Sequence, residues 1–216
     1  MSAHPLARLF AEIGRGALPP ADGEVEVFEA PPGPVDAVVG FTAHHCVAAD
    51  VDGEAVLRRL PTDDLSAPLS AGFLAWLGEQ LGAAPGSLDM FLLAPEGVAD
   101  AEPLERRDDL AEHPRVARAA RYREELQVYS DESGAGVLIV GRGLARRREV
   151  SVEVAPEARN AGLARRLAAA ARTLVPPEEP LWAQVAPANA ASVRAFLAAG
   201  YRPIGAEVLF LRRDSP

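Results

Sequence analysis

Three stretches between residues 124 and 155 constrain this chain more than any other feature. "EELQVYSD" (124–131), "GVLIVGRGL" (136–144) and "REVSVEVA" (148–155) are rich in β-branched residues and alternate in polarity, the pattern of strands. Only "ESGAG" and the arginine cluster at 146 to 148 separate them. Connections this short exclude a crossover helix, so the three strands form an antiparallel meander. Behind them comes "PEARNAGLARRLAAAARTLV" (156–175), an alanine-rich helix opened by a glycine-containing turn. "LWAQVA" (181–186) reads as a strand. "NAASVRAFLAAG" (189–200) reads as a helix with an Asn N-cap and a Gly stop, and "EVLFLRR" (207–213) as a last strand. The order is βββ-α-β-α-β, a mixed α/β (α+β) fold.

The first half of the chain is less distinctive. Residues 4–16 read as an amphipathic helix, "EVEVFEA" as a strand and "DAVVGFTAHHCVAADV" as strand-rich. "DGEAVLRRL" and "SAGFLAWLGEQLG" read as helices, the second ended by Gly82, and "LDMFLLA" as a short buried strand. Residues 95–114 are rich in Pro and Glu and read as an exposed linker. The expected organisation is an N-terminal α/β region over 1–117, which completes or extends the fold, and a core over 118–216.

Composition removes several function classes. The formal net charge is −9, which argues against nucleic acid as a partner, because phosphate binding draws on basic surface. All 22 basic residues are arginine, so a lysine Schiff base and a lysine-dependent phosphate loop are excluded. The single cysteine, Cys46, precludes an internal disulfide and any cysteine-rich zinc site. His44 and His45 precede it, but neighbours on a strand point to opposite faces, and no metal site is expected. No run of apolar residues approaches a membrane span and no signal peptide is apparent, so a cytoplasmic location is expected.

The chemistry centres on "VEVAPEARNAGLARRL". A strand ends at Val154, Pro156 breaks it, and Arg159-x-x-Gly162-x-Ala164 opens a helix. Helix N-termini present unpaired N–H groups and the positive end of the dipole, a ready seat for an anion. Gly162 leaves room for a phosphate to approach the backbone, and Ala164 is small for the same reason. An ordinary loop-to-helix turn is the bland alternative. The stretch resembles the pyrophosphate-binding signature of the GNAT superfamily, the acetyl-CoA-dependent N-acyltransferases. That signature is Gln/Arg-x-x-Gly-x-Gly/Ala after a strand ending in Val-x-Pro. "WAQVAPANAASVRAFLAAGYRP" is similar to the family's second signature, a strand followed by Asn-x-x-Ser, an aromatic and Gly-aromatic. The resemblance covers about the last hundred residues, and actinobacterial members of the family are among the proteins this chain is similar to.

The resemblance implies a GNAT-like, mostly antiparallel sheet flanked by helices and splayed after the strand ending at Val154. It implies acetyl-CoA as co-substrate and a primary amine, on a small molecule or a protein, as acceptor. Val152 and Val154 would offer backbone groups to the pantetheine arm. Asn160, Ala161, Gly162, Leu163 and Ala164 would hold the pyrophosphate through their N–H groups, with Arg159 beside it. Asn189 and Ser192 would line the lower pantetheine, unless Asn189 is a plain N-cap. Phe196 would border the cofactor at the position where the family usually places a tyrosine acid, and it cannot donate a proton. Tyr201 is the nearest phenol and fills the place of a core aromatic. Glu149 and Glu153 share one face of their strand, where family members often carry a base, so either is the candidate base. The alternative reading is a non-catalytic acyl-CoA sensor or partner module. A homodimer is left open by the sequence, and no nucleic-acid or membrane partner is expected.

Overall fold

The structure is a computed structural model and describes residues 3–97 and 101–212. Two compact units make up the chain, each discontinuous in sequence. One comprises residues 1–90, 144–146 and 204–216, and the other residues 91–143 and 147–203. The sheet in each is mixed and mostly antiparallel, with helices packed against it.

In the first unit α1 (Pro5–Gly14) is followed by β1 (Val25–Phe28), β2 (Val35–Gly40), β3 (His45–Ala48), α2 (Gly53–Arg59) and α3 (Ala71–Leu81). β4 (Pro85–Leu93) begins in this unit, and most of β10 (Arg202–Leu211) belongs to it. β1 pairs in parallel with β3, and β2 lies antiparallel between β3 and β10. All six residues of β2 are buried. Phe73, Leu77, Val38, Val47, Val208 and Phe210 form the centre of the core. Three signals legible in the sequence set the ends of these helices. Asp52 caps α2 by accepting from the Glu54 N–H, Ser70 caps α3 through the Phe73 N–H, and Gly82 ends α3 in the left-handed conformation.

The second unit holds β5 (Glu105–Arg106), α4 (Pro114–Ala120), β6 (Glu124–Ser130), β7 (Gly136–Arg142), β8 (Arg148–Val154), α5 (Leu163–Ala170), β9 (Leu181–Val185) and α6 (Ala190–Ala198). Its strand order is β9-β8-β7-β6-β5. The expected meander is β6-β7-β8, antiparallel throughout. α4 packs on β6, and Val116 and Ala119 join Val128, Val137 and Ile139 in a small core. α5 packs on β7 and β8 and against α6.

Four local differences from the sequence reading have physical causes. Within 95–114, Glu105 and Arg106 pair with Ser130 and Tyr129 of β6. Residues 98–100 of that segment lie outside the described residues, as does Arg213 of the last strand. α4 starts inside it, with Pro114 in the first turn and the His113 ring accepting from the Arg115 N–H, a cap outside the usual Ser/Thr/Asp/Asn set. The alanine-rich helix begins only at Leu163, because residues 156–162 are spent on the turn before it. The arginine cluster that separates β7 from β8 is mostly drawn inward: Arg146 is exposed, but Arg147 is buried and Arg148 partly so.

Packing is tight where α3 meets the loop after it. A Cβ added at Gly78 would stand 2.7 Å from the Ala83 carbonyl oxygen and 3.2 Å from Pro85 Cδ. A backbone carbonyl cannot rotate away. Gly78→Ala should therefore destabilise through overpacking of about 1–3 kcal/mol, more than the roughly 1 kcal/mol that alanine returns as a better helix former. The urea midpoint of this variant is expected to fall, and an unchanged or higher midpoint would refute the tight packing.

Candidate active site

β8 and β9 run parallel, but their pairing covers only Arg148↔Leu181, Glu149↔Trp182 and Val150↔Ala183. Past Val150 the strands part, earlier than the expected end at Val154. The antiparallel side of β8 fixes which backbone groups the parting uncovers. Gly143 N–H donates to Arg147 O at 3.0 Å, and Ala155 N–H donates to Ala135 O at 2.8 Å. The β7–β8 register between them is unbroken from Arg142↔Arg148 to Gly136↔Val154. Backbone groups alternate in direction along a strand. Residues 149, 151 and 153 therefore turn theirs toward β7. Val152 and Val154 turn theirs toward the opposite edge, where β9 no longer pairs. Arg159 uses one of them, its Nε donating to Val154 O at 3.2 Å.

The turn after β8 is built to gather N–H groups. Pro156–Ala158 is one turn of 3-10 helix, and Asn160 and Gly162 take left-handed backbone, with φ of 63° and 78°. Asparagine tolerates that region better than most residues, and glycine adopts it without strain. Left-handed residues alternating with right-handed ones curl successive N–H groups into an anion-binding concavity. Among the described residues, the N–H groups of Asn160, Ala161, Gly162, Leu163 and Ala164 find no backbone partner. Gly162 stands as the N-cap of α5 and supplies no side-chain cap. The first turn of α5 contains no acidic residue but carries Arg165 and Arg166, with Arg159 just before it. Cations at the positive end of a helix are unfavourable unless an anion joins them. Arg166 is partly occupied, its Nε with Glu102 at 2.7 Å and its Nη1 with Ala161 O at 3.0 Å.

The two candidate carboxylates have separate fates. Glu149 is 1% exposed and lies between two guanidinium groups. Arg123 Nε reaches its Oε2 at 2.7 Å and Arg147 Nε its Oε1 at 2.8 Å. Burial alone would raise the Glu149 pKa, but Arg147 and then Arg123 more than offset it and hold the carboxyl below the usual glutamate value. Arg147 also stacks over Phe91 and Trp182, at 5.5 and 5.7 Å from the ring centroids. Arg123 extends the network past the last backbone pair. It donates to Ser151 Oγ of β8 at 3.0 Å and to Gln184 Oε1 of β9 at 3.3 Å. Glu153 is exposed. It favours the charged form of Arg115 on α4, against burial and the repulsion of Arg123 and Arg118. A base must exchange protons with its surroundings, and of the two carboxylates only Glu153 is open to them. Glu149 is better described as the anchor of the Arg123–Arg147 network.

The second signature is placed on α6. Asn189 is the N-cap, its Oδ1 accepting from the Ser192 N–H at 3.1 Å, and the residue is exposed. Phe196 is buried and meets Tyr201 edge-on, with centroids 4.9 Å apart. The Tyr201 hydroxyl donates to Ala168 O of α5 at 3.0 Å, and burial pushes its pKa well above the usual tyrosine value. Tyr201 is thus a core residue that joins α6 to α5, as its sequence position suggested, and is no acid.

Arg123, Arg147, Gln184 and Phe91 escaped the sequence reading. The signal for part of the set was the period-2 run Arg147-Glu149-Ser151 facing Trp182-Gln184 on a strand two residues shorter. The origin of Arg123 in the turn between α4 and β6 carries no such signal.

No protein-family model matches the chain, and no curated protein does. Several solved structures are similar to it. An acetyltransferase of the GNAT family from Colwellia psychrerythraea is 11% identical over 66% of this chain and 63% of that one, with a TM-score of 0.42. A putative GNAT-family acetyltransferase from Novosphingobium aromaticivorans is 24% identical over 58% of this chain and 63% of that one, with a TM-score of 0.42. A GCN5-related N-acetyltransferase from Kribbella flavida is 17% identical over 66% of this chain and 64% of that one, again at 0.42. The chain spans a little under two thirds of the length of each.

Glu149→Gln tests the anchor. The amide keeps the shape but leaves two buried cations without an anion, a loss of about 3–5 kcal/mol. Because its folded pKa is depressed, Glu149 contributes stability above the ordinary glutamate pKa. That contribution fades as pH falls through the folded value. The variant should be markedly less stable at pH 7, and its stability should vary less with pH on the acid side. A variant as stable as wild type at pH 7 would count against the network.

Proposed function

We propose that the protein is an N-acetyltransferase of the GNAT type, moving an acetyl group from acetyl-CoA to a primary amine on a small molecule or protein. The observation that carries this is the parting of β8 from β9 after Val150 beside a turn of unpartnered N–H groups. A linear ligand with an amide-bearing arm and a diphosphate matches both halves of that arrangement. The arm would lie along Val152 and Val154 as an added strand does. The diphosphate would sit on the N–H groups from Asn160 to Ala164, near Arg159. Asn189 and Ser192 would border the lower arm, with Phe196 behind them. Among the described residues no helix is long and apolar enough to cross a membrane, and a cytoplasmic location belongs to the same proposal.

In the reaction the amine nitrogen attacks the thioester carbonyl, and its surplus proton passes to Glu153, directly or through water. The tetrahedral intermediate collapses, the C–S bond breaks, and the amide remains on the acceptor. The thiolate departs with the bonding electrons and takes a proton from solvent. A thiol pKa near ~8.5 makes unaided departure feasible, which fits Phe196 at the family's acid position and the engagement of Tyr201 with Ala168.

Gly162→Glu should abolish CoA binding measured by calorimetry, since it places a carboxylate in the anion seat and a side chain at a φ of 78°. Binding equal to wild type would show the seat to be elsewhere. Glu153→Gln should lower turnover with an accepted amine by about 10²–10⁴-fold while CoA affinity changes little. Turnover is read as release of the CoA thiol. Undiminished turnover would remove Glu153 from the role of base. If wild type releases no thiol with any amine of a broad panel yet binds CoA, the non-catalytic sensor is the better reading.

A further inference from the structure

His44, Cys46 and Glu26 come together in the first unit. His44 and Cys46 are two residues apart and therefore share a face at the start of β3. The parallel partner β1 sets Glu26 directly beside Cys46. One donor atom from each lies within 4.8 Å of the other two. Glu26 Oε1 and His44 Nε2 are hydrogen-bonded at 3.0 Å, close to the ~3.3 Å edge of a tetrahedron with metal–ligand bonds of about 2.0 Å.

Three further observations point to a bound cation. The other nitrogen of His44, Nδ1, faces Asp22 Oδ1 at 3.0 Å. A carboxylate on the far side of an imidazole fixes the ring and leaves its second nitrogen to a metal. The Cys46 sulfur is fully buried, between a carboxylate and an imidazole, and no hydrogen bond to it is found among the described residues. Finally, a cavity of about 310 Å³ opens beside the cluster, lined by His44, Glu26, Asp22, Glu12, Leu9 and Leu18.

We propose that His44 Nε2, Cys46 Sγ and a Glu26 carboxylate oxygen form a three-ligand site for a divalent cation of the zinc class. An N, S and O donor set suits zinc and is unsuited to magnesium or calcium, which take oxygen ligands. On binding, the Cys46 thiol and the His44 Nε2–H that faces Glu26 each give a proton to solvent, and Nε2 takes the metal while Nδ1–H keeps Asp22. The fourth position faces the cavity and takes water, the arrangement of an open site and not of a closed structural one.

Cobalt tests this without reference to acyl transfer. Protein stripped with a chelator and titrated with Co²⁺ should bind one equivalent and show the near-ultraviolet thiolate-to-cobalt charge-transfer band. Zn²⁺ should displace the cobalt stoichiometrically. Cys46→Ala should lose the band and weaken Zn²⁺ at least tenfold. Asp22→Asn should keep the band and weaken Zn²⁺ by about 10–100-fold, as the loss of an outer partner does. Folding of each variant is checked by circular dichroism, and the wild-type cobalt spectrum decides the matter even if Cys46→Ala does not fold. A wild-type spectrum without the thiolate band would overturn the site, as would a folded Cys46→Ala that binds Zn²⁺ as well as wild type.

Discussion

A carboxylate taken out of water must be fully matched or it unfolds what surrounds it. Glu149 is matched from two directions, by Arg123 from the turn between α4 and β6 and by Arg147 from the residue before β8. Neither arginine is held by charge alone. Arg147 lies against the rings of Phe91 and Trp182, so its plane is set by stacking as well as by the ion pair. Arg123 is held by three acceptors on two strands. The network sits at Glu149, one residue before the last β8–β9 pair.

That position matters because unpaired strand edges inside a sheet are costly. Backbone N–H and C=O groups without partners tend to close up or pair with something else. β8 could continue along β9 for two more residues, since β9 runs to Val185. Instead, Arg123 bridges Ser151 and Gln184 with its side chain where a backbone ladder would otherwise run. The bridge gives the two strands a fixed relation after backbone pairing has stopped, and leaves the groups of Val152 and Val154 facing the gap. On the reading proposed for this site, a ligand completes the ladder that the strands leave open.

What the sequence made legible was local. The meander came from period-2 alternation with turns of a few residues, and α6 from Asn189 at one end and Gly200 at the other. The turn at Gly162 came from a strand breaker followed by a helix former. What it did not make legible depends on residues far apart in the chain. The charges of Arg147, Arg148 and Glu149 look like a polar turn until Arg123, 26 residues away from Glu149, is seen to enclose them. The parting of the strands at Val150 rather than Val154 depends on how far β9 follows β8, and no local pattern encodes that. α4 was hidden because its cap is a histidine and its length is seven residues. His44 and Cys46 show a local rule that holds but covers only neighbours. Adjacent residues do diverge, but alternate ones converge, and the third member arrives through the parallel pairing of β1 with β3.

The absence of lysine bears on how these buried sites are closed. A lysine brings three donors on one nitrogen, whereas an arginine brings five across a rigid plane and can serve acceptors that stand apart. Arg212 does so in the first unit. It holds Asp36 through Nε and Nη2, at 3.1 and 2.7 Å, and also reaches the carbonyls of Gly33, Pro31 and Val35. Asp36 is 3% exposed, so a single cation both neutralises it and gathers the chain before β2. Arg172 does the same after α5, donating to the carbonyls of Val175, Pro176 and Pro177, where two prolines supply no N–H of their own. Arg123 completes the series with a carboxylate, a hydroxyl and an amide oxygen. In each case separate nitrogens of one guanidinium plane serve acceptors on different residues, a use to which arginine's rigid fork is suited at these three positions.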